Sequence, residues 1–324
     1  MKTADFIIES FSPGFLNRHG LGYETLSQIN PRIILTSITP FGQTGPYSNL
    51  KGSDLVTQAM GVLLWQTGDR DRAPVRTTIP QAFAHAGADA AEATMIAHYY
   101  RETTGKGQQV DVSIMESVLW VAGRAVPFWD ALKTDVIRAG RFWDRPGRRF
   151  PAIWDCKNGY VTFLIQGGVA GDRTNKSIMK WMDSYGLAPD YMKETDWENW
   201  DWDKVTQAEL DIYTEAVTEF FKTRTAEELE EGAIERGIML NKVCDSADSR
   251  ASVQLEARNF WTSVEHEELN DTLTYPGPFA KFSLTPVGTP RRAPRIGEHN
   301  REIYESELGL TPRELAELQA QGVI

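Results

Sequence analysis

Short β-branched apolar runs alternate with longer stretches of mixed polarity through the first third of the chain. The run Asp5-Phe6-Ile7-Ile8-Glu9 reads as a buried strand that starts almost at the first residue. A buried strand needs neighbours on both sides, so residues 5–9 are expected at a sheet edge or beside a portion that precedes them. Pro13-Gly14 breaks the chain, residues 22–29 carry a helical pattern, and Asn30-Pro31 forms a turn. Ile33–Ile38 predicts the second strand, and the glycines and proline of Phe41–Pro46 predict a loop. A helix is expected from Asp54 to Trp65, with Ser53 as its N-cap. Residues 84–103 hold alanines at 84, 86, 88, 90, 91, 93 and 97, a helix with a small-residue face ended by Gly105. Gln108–Ser113 follows as a strand, and strand–helix–strand order predicts a parallel α/β sheet.

The pattern changes after Gly123. Residues 124–149 carry Arg124, Lys133, Arg138, Arg141, Arg145, Arg148 and Arg149 among aromatics, which reads as a linker crossing a surface, with the means to contact an anion. Tyr160–Ile165 predicts a strand, 175–185 an amphipathic helix, and the acidic, Trp-rich stretch 194–231 further helix with solvated faces. Trp181, Trp197, Trp200 and Trp202 are expected to pack this second domain. Pro276, Pro278, Pro286, Pro290 and Pro294 mark an irregular return, and Thr311, Pro312 and Glu314 form a capping box for a last helix. The expected domains are therefore 1–123, a linker over 124–151, a smaller domain over 152–262, and a returning segment over 263–324.

Composition narrows the classes. The 324 residues, with 34 Lys+Arg against 45 Asp+Glu and 41% hydrophobic residues, describe a globular chain of net charge −11 and about two domains. That balance argues against a nucleic-acid footprint, which is basic. No apolar run reaches the ~20 residues of a membrane span and the first residues lack a signal-peptide core, so no membrane association and a cytoplasmic location are expected. Cys156 and Cys244 are too few for a disulfide framework. The five histidines have no metal-binding spacing, and no metal is expected. Gly105-Lys106 fails as a phosphate loop, because Tyr100 and Gly107 stand where Gly and Ser/Thr are required. Gly167-Gly168-Val169-Ala170-Gly171 lacks the first glycine of a dinucleotide loop, although its N–H groups could still cradle an anion.

A longer pattern is more informative. Glu9-Ser10-Phe11-Ser12-Pro13-Gly14, Leu21-Gly22-Tyr23, Asn30-Pro31-Arg32, Phe41-Gly42-Gln43-Thr44-Gly45-Pro46, Asp54-Leu55 with Gln58-Ala59-Met60, and Thr104-Gly105-Lys106-Gly107-Gln108 follow in that order. Cys156–Val161 and the closing Leu308-Gly309-Leu310 and Gly322-Val323-Ile324 extend it. This succession resembles the family III CoA-transferases over nearly the whole chain. The resemblance implies an α/β fold: a large Rossmann-like domain made from both chain ends, a smaller inserted α+β domain, and an interlocked dimer. It also implies a large domain shortened at its N-terminus, since members carry a further β-α-β unit ahead of the Glu-x-Phe-x-Pro-Gly segment. The implied chemistry moves CoA from an acyl-CoA thioester to a free carboxylic acid. An enzyme Asp attacks the thioester to give a mixed anhydride, then an enzyme-bound CoA thioester, which the acceptor acid attacks in turn. Acyl-CoA and the acid are substrates, and no permanently bound cofactor is implied.

The family's Asp stands in a Pro-x-Ala-Asp context ahead of the long helix. Here that stretch is Pro80-Gln81-Ala82-Phe83, so Phe83 fills the nucleophile's position. Three readings follow. This chain is one subunit of a heteromer, or of a homodimer, whose Asp comes from a paralogue in the first case. Alternatively, another carboxylate serves, Asp54 or else Asp89 or Glu92, although Asp89 lies about 9 Å further along the helix axis. Or the chain is a silent CoA-binding subunit. By resemblance, CoA contacts fall on Ser10, Phe11 and Arg18, with Lys51 and Asp54 lining the cleft and Gln43 placed to donate to a thioester oxygen.

Overall fold

The computed structural model describes residues 2–145, 147–201, 204–288 and 291–324, apart from the side chains of Arg145, Val169 and Ala170. Trp202 and Pro290, both singled out above, lie outside the described residues. The chain divides into two compact units, up to Lys242 and from Val243.

The first unit opens with β1 (Phe6–Glu9), α1 (Phe15–Arg18), α2 (Tyr23–Ile29), β2 (Ile34–Thr39), α3 (Asp54–Met60), α4 (Gln81–Thr104), β3 (Gln109–Ser113), α5 (Ile114–Val121) and α6 (Ala125–Leu132). The strands form a parallel sheet in the order β1-β2-β3, as the alternation predicts. β1 lies at the sheet's edge and is not buried: Ile8 is 63% exposed, because the strand has β2 alone as its partner. β2, paired on both sides, is buried along most of its length. Its Thr36 points at α4, hydrogen-bonded to Thr94 at 2.6 Å. By the period of two, Leu35, Ser37 and Thr39 face the opposite side.

Two helix boundaries depart from the pattern. The helix expected to reach Trp65 stops at Met60, although Ser53 does cap it through Val56 N–H. Gly61 closes the helix because α5 passes so near that a Cβ there would lie 2.6 Å from Val118, and Val62 then turns at φ 70°. The 124–149 stretch is not a bare linker, since it contains α6 and leads into β4 (Phe142–Arg145) and β5 (Arg148–Pro151). Arg138, Arg141 and Arg149 are engaged in structure rather than presented to an anion, and the side chain of Arg145 lies outside the described residues. Arg138 donates to the carbonyls of Asp69 and Arg72, and Arg141 pairs with Asp155 at 2.6 Å. The Arg149 guanidinium lies 4.0 Å over the Phe142 ring.

The rest of the unit is β6 (Ile153–Cys156), β7 (Gly159–Phe163), α7 (Gly168–Asp183), α8 (Asp190–Glu194), α9 (Gln207–Lys222), α10 (Ala226–Arg236) and β8 (Leu240–Lys242). The antiparallel sheet β6-β7-β8 packs with these helices around Trp154, Phe163, Trp197, Tyr213, Phe220 and Phe221. Helix was expected throughout 194–231, but it is interrupted between Glu194 and Gln207, where Trp197 turns inward. Capping boxes at Thr206 and Thr225 restart it twice.

The second unit holds α11 (Ser246–Arg250), α12 (Val253–Ala257), the hairpin β9 (Trp261–His266) and β10 (Asp271–Pro276), and α13 (Pro312–Ala320). A π-helical turn, Arg301–Glu307, precedes α13, whose capping box is the one predicted at Thr311 and Glu314. Among the described residues no helix is long and apolar enough to cross a membrane.

Candidate functional site

The carboxyl ends of β1 and β2 and the first turn of α4 gather most of the residues singled out from sequence. In an open parallel sheet this is the end where connecting loops leave room for a ligand. A cavity of about 270 Å³ lies there, lined by residues that include Glu9, Ser12, Tyr23, Ser37, Gln43 and Gln109. Burial pushes the Tyr23 hydroxyl's pKa up, so it stays a neutral donor at this wall.

Gln43 reaches the cavity by a specific device. Its backbone N–H donates to both carboxylate oxygens of Asp111, at 3.1 and 2.9 Å. The preceding Gly42 adopts φ 83°, and a Cβ there would lie 3.5 Å from Asp111 Oδ2, so a glycine fits the turn. The Gln43 side-chain Nε2 is buried with no hydrogen-bond acceptor among the described residues.

The segment that follows β1 forms the neighbouring wall. Glu9 Oε2 accepts the Phe11 N–H at 2.7 Å, and the exposed Phe11 ring stacks on Phe15 at 4.5 Å. Arg18 ends α1 with its guanidinium 6.0 Å over Phe15, and no carboxylate pairs with it among the described residues. Ser10 is exposed. Ser10, Phe11 and Arg18 thus flank the cavity's lining segment without lining the cavity themselves.

Asp54 and Phe83 meet at a second place, the start of α4. This long helix has Pro80 at its N-cap and no side-chain cap of its own. Asp54 supplies the cap from 28 residues away, its Oδ1 accepting Ala82 N–H at 2.9 Å and Phe83 N–H at 3.4 Å. Its Oδ2 accepts the buried Gln58 amide at 2.6 Å. A carboxylate at a helix N-terminus is favoured by the macrodipole, but with both oxygens engaged Asp54 serves here as a cap. The Phe83 side chain is 49% exposed. Asp89 is half-buried and Glu92 exposed further along α4, and Lys51 is exposed ahead of α3. Neither Lys51 nor Asp54 joins the cavity lining.

Sequence reasoning passed over Ser37, Asp111 and Gln109. Each is a polar residue inside an apolar strand, the only signal the sequence carries, and the register that pairs Ser37 with Asp111 on one face comes from the sheet. Among the described residues no three His, Cys, Asp or Glu side chains gather as metal ligands.

Comparison with known proteins places this arrangement. The model of CoA-transferase family III matches residues 1–300. The succinyl-CoA:(R)-benzylsuccinate CoA-transferase subunit BbsE of Thauera aromatica is 34% identical, the alignment covering 99% of this chain and 77% of that protein. The succinyl-CoA–L-malate CoA-transferase beta subunit of Chloroflexus aurantiacus is 27% identical over 99% of this chain and 77% of its own length. Among solved structures, a CAIB/BAIF family protein from Brucella suis superposes with a TM-score of 0.76 at 25% identity, covering 95% of this chain and 76% of that one. The mixed α/β fold and the ordered motifs agree with these matches, and the chain belongs to CoA-transferase family III.

Proposed function

We propose that this chain is one subunit of a heteromeric CoA-transferase that moves CoA from an acyl-CoA thioester to a free carboxylic acid, its paralogous partner supplying the nucleophilic Asp. The observation that carries this reading is Phe83, an aromatic ring at the first turn of α4 where the chemistry requires a carboxylate. Asp54, the carboxylate beside it, is committed to capping α4, which argues against its use as a substitute. The exposed face of α4 gives the partner a place to stand. Met95, Ile96 and Tyr99 are exposed there while Ala82, Ala86, Ala90 and Ala97 pack inward, and a helix apolar on both faces is normally covered on both. Two of the relatives above are themselves named as subunits. Ser10, Phe11, Arg18, Gln43 and Lys51 are the proposed contacts for the CoA moiety. Arg18 offers a planar fork of donors to a phosphate, with no competing carboxylate among the described residues.

In the partner's site the Asp attacks the thioester carbonyl and releases CoA thiolate. The thiolate then attacks the enzyme's side of the anhydride and frees the donor acid. The acceptor carboxylate repeats the exchange in reverse. A second reading, a silent subunit that binds acyl-CoA without chemistry, rests on the same Phe83. Incubation with succinyl-CoA and a panel of carboxylic acids separates the two. Turnover is expected only with the co-purified partner, and turnover by this chain alone would overturn both. CoA binding without turnover in the complete assembly would favour the silent subunit.

A further inference from the structure

The parallel register sets three polar side chains in one row. Glu9 pairs with Ser37 across β1 and β2, and Ser37 pairs with Asp111 across β2 and β3, so all three share a face of the sheet. The outer two do the same job on different loops. Glu9 holds the loop after β1 by accepting Phe11 N–H, and Asp111 holds the loop after β2 by accepting Gln43 N–H.

The middle of the row is unfinished. Ser37 is 1% exposed, and its hydroxyl makes no hydrogen bond among the described residues. Gln43 Nε2, delivered by the loop that Asp111 holds, is buried without an acceptor. Both residues line the same cavity. A buried donor left without an acceptor is costly, and Gln43 Nε2, beside a serine hydroxyl that makes no hydrogen bond among the described residues, marks a place completed by an acceptor from outside.

The lining also restricts that acceptor's chemistry. Glu9 and Glu24 line the cavity and no Lys or Arg does, which disfavours a phosphate there. Glu9 Oε1 has no partner among the described residues and can take an N–H. A neutral group offering a carbonyl oxygen beside an N–H is a secondary amide. Resting on the acyl-CoA reading above, we infer that this cavity holds an amide of the pantetheine arm, its oxygen receiving hydrogen bonds from Gln43 Nε2 and Ser37 Oγ and its N–H donating to Glu9 Oε1. Asp111 is a positioning residue that acts through Gln43.

Calorimetric titration of the purified assembly tests this with two probes: coenzyme A, and ADP, which carries a nucleotide but no pantetheine arm. Gln43→Glu keeps the side chain's shape and replaces the donor by an acceptor. It is expected to weaken coenzyme A by about tenfold or more while leaving ADP within about twofold. Ser37→Ala should act in the same direction, by about threefold to tenfold. Asp111→Ala should reproduce the selective loss and Asp111→Asn, which keeps one acceptor oxygen, should recover most of it. Equal loss of both probes, or unchanged coenzyme A affinity in Gln43→Glu and Ser37→Ala, overturns the subsite and leaves the acyl-CoA reading standing. A wild-type assembly that binds no coenzyme A overturns that reading, and the subsite with it.

Discussion

Two parts of the first unit solve the problem of burying aromatic and charged side chains in opposite ways. In the region from β6 to β8, Trp154, Phe163, Phe220 and Phe221 are fully enclosed, Phe221 meets Trp154 and Phe163 edge to face, and Trp154 Nε1 donates to the Phe163 carbonyl at 2.7 Å. Even the cations are used up, the Arg224 guanidinium lying 4.0 Å from the Tyr185 ring and 4.2 Å from Phe220. In the region from β1 to α6, Trp120 is 82% exposed and α4 shows an apolar face to solvent. The same region leaves Gln43 Nε2 buried with no acceptor among the described residues. A self-sufficient core needs nothing more, whereas an unmet polar group and an exposed apolar face are what the proposed substrate and partner would complete.

That contrast can be broken at several points. Trp154→Ala opens a cavity in the closed core and removes a buried hydrogen bond, and should cost about 3–5 kcal/mol in urea unfolding. A loss below 1 kcal/mol (a rough threshold) would mean that the core is not closed. Asp54→Ala uncaps α4 from a distance and should cost about 1 kcal/mol, with faster hydrogen exchange at the Ala82 and Phe83 amides. Unchanged exchange there would show that the cap is not Asp54.

A subtler effect is set by pH. Tyr191 and Thr206 donate to Glu209 and hold its carboxyl down to about 2, below the usual 4.5. A folded-state pKa below the unfolded one means stability that is complete above pH 4.5 and lost as pH falls towards 2. Urea midpoints measured across that window should fall less steeply for Glu209→Gln than for the wild type. Equal slopes would remove Glu209 from the account. Trp120→Asp, by contrast, should change the stability of the isolated chain by less than about 0.5 kcal/mol, yet loosen its assembly in sedimentation velocity. Unchanged sedimentation would exclude this face from the interface.

Much of the first region was legible from the pattern of residues. β2, α4 and β3 fall within a few positions of their apolar runs, because each element's period and punctuation are local properties. Ser53, Gly105 and the Thr311–Glu314 box cap the helices they were expected to cap, since a cap and its helix are adjacent in sequence. The end of α3 was not legible, because it depends on Val118 pressing against Gly61 from another helix. The burial expected for β1 failed for a related reason: its composition is that of a buried strand, but its number of neighbours is a property of the sheet. Arg138 and Arg141 looked available to an anion because their carbonyl and carboxylate partners lie in other segments.

The sequence by itself determined most element types and the family, since these are written in residue identity and short-range order. Only the tertiary structure decided that Asp54 caps α4 from another helix, and that Glu9, Ser37 and Asp111 stand in one row. Both depend on register and packing between segments far apart in the chain. A one-residue slip in a strand would turn the whole row to the opposite face while leaving every local preference satisfied.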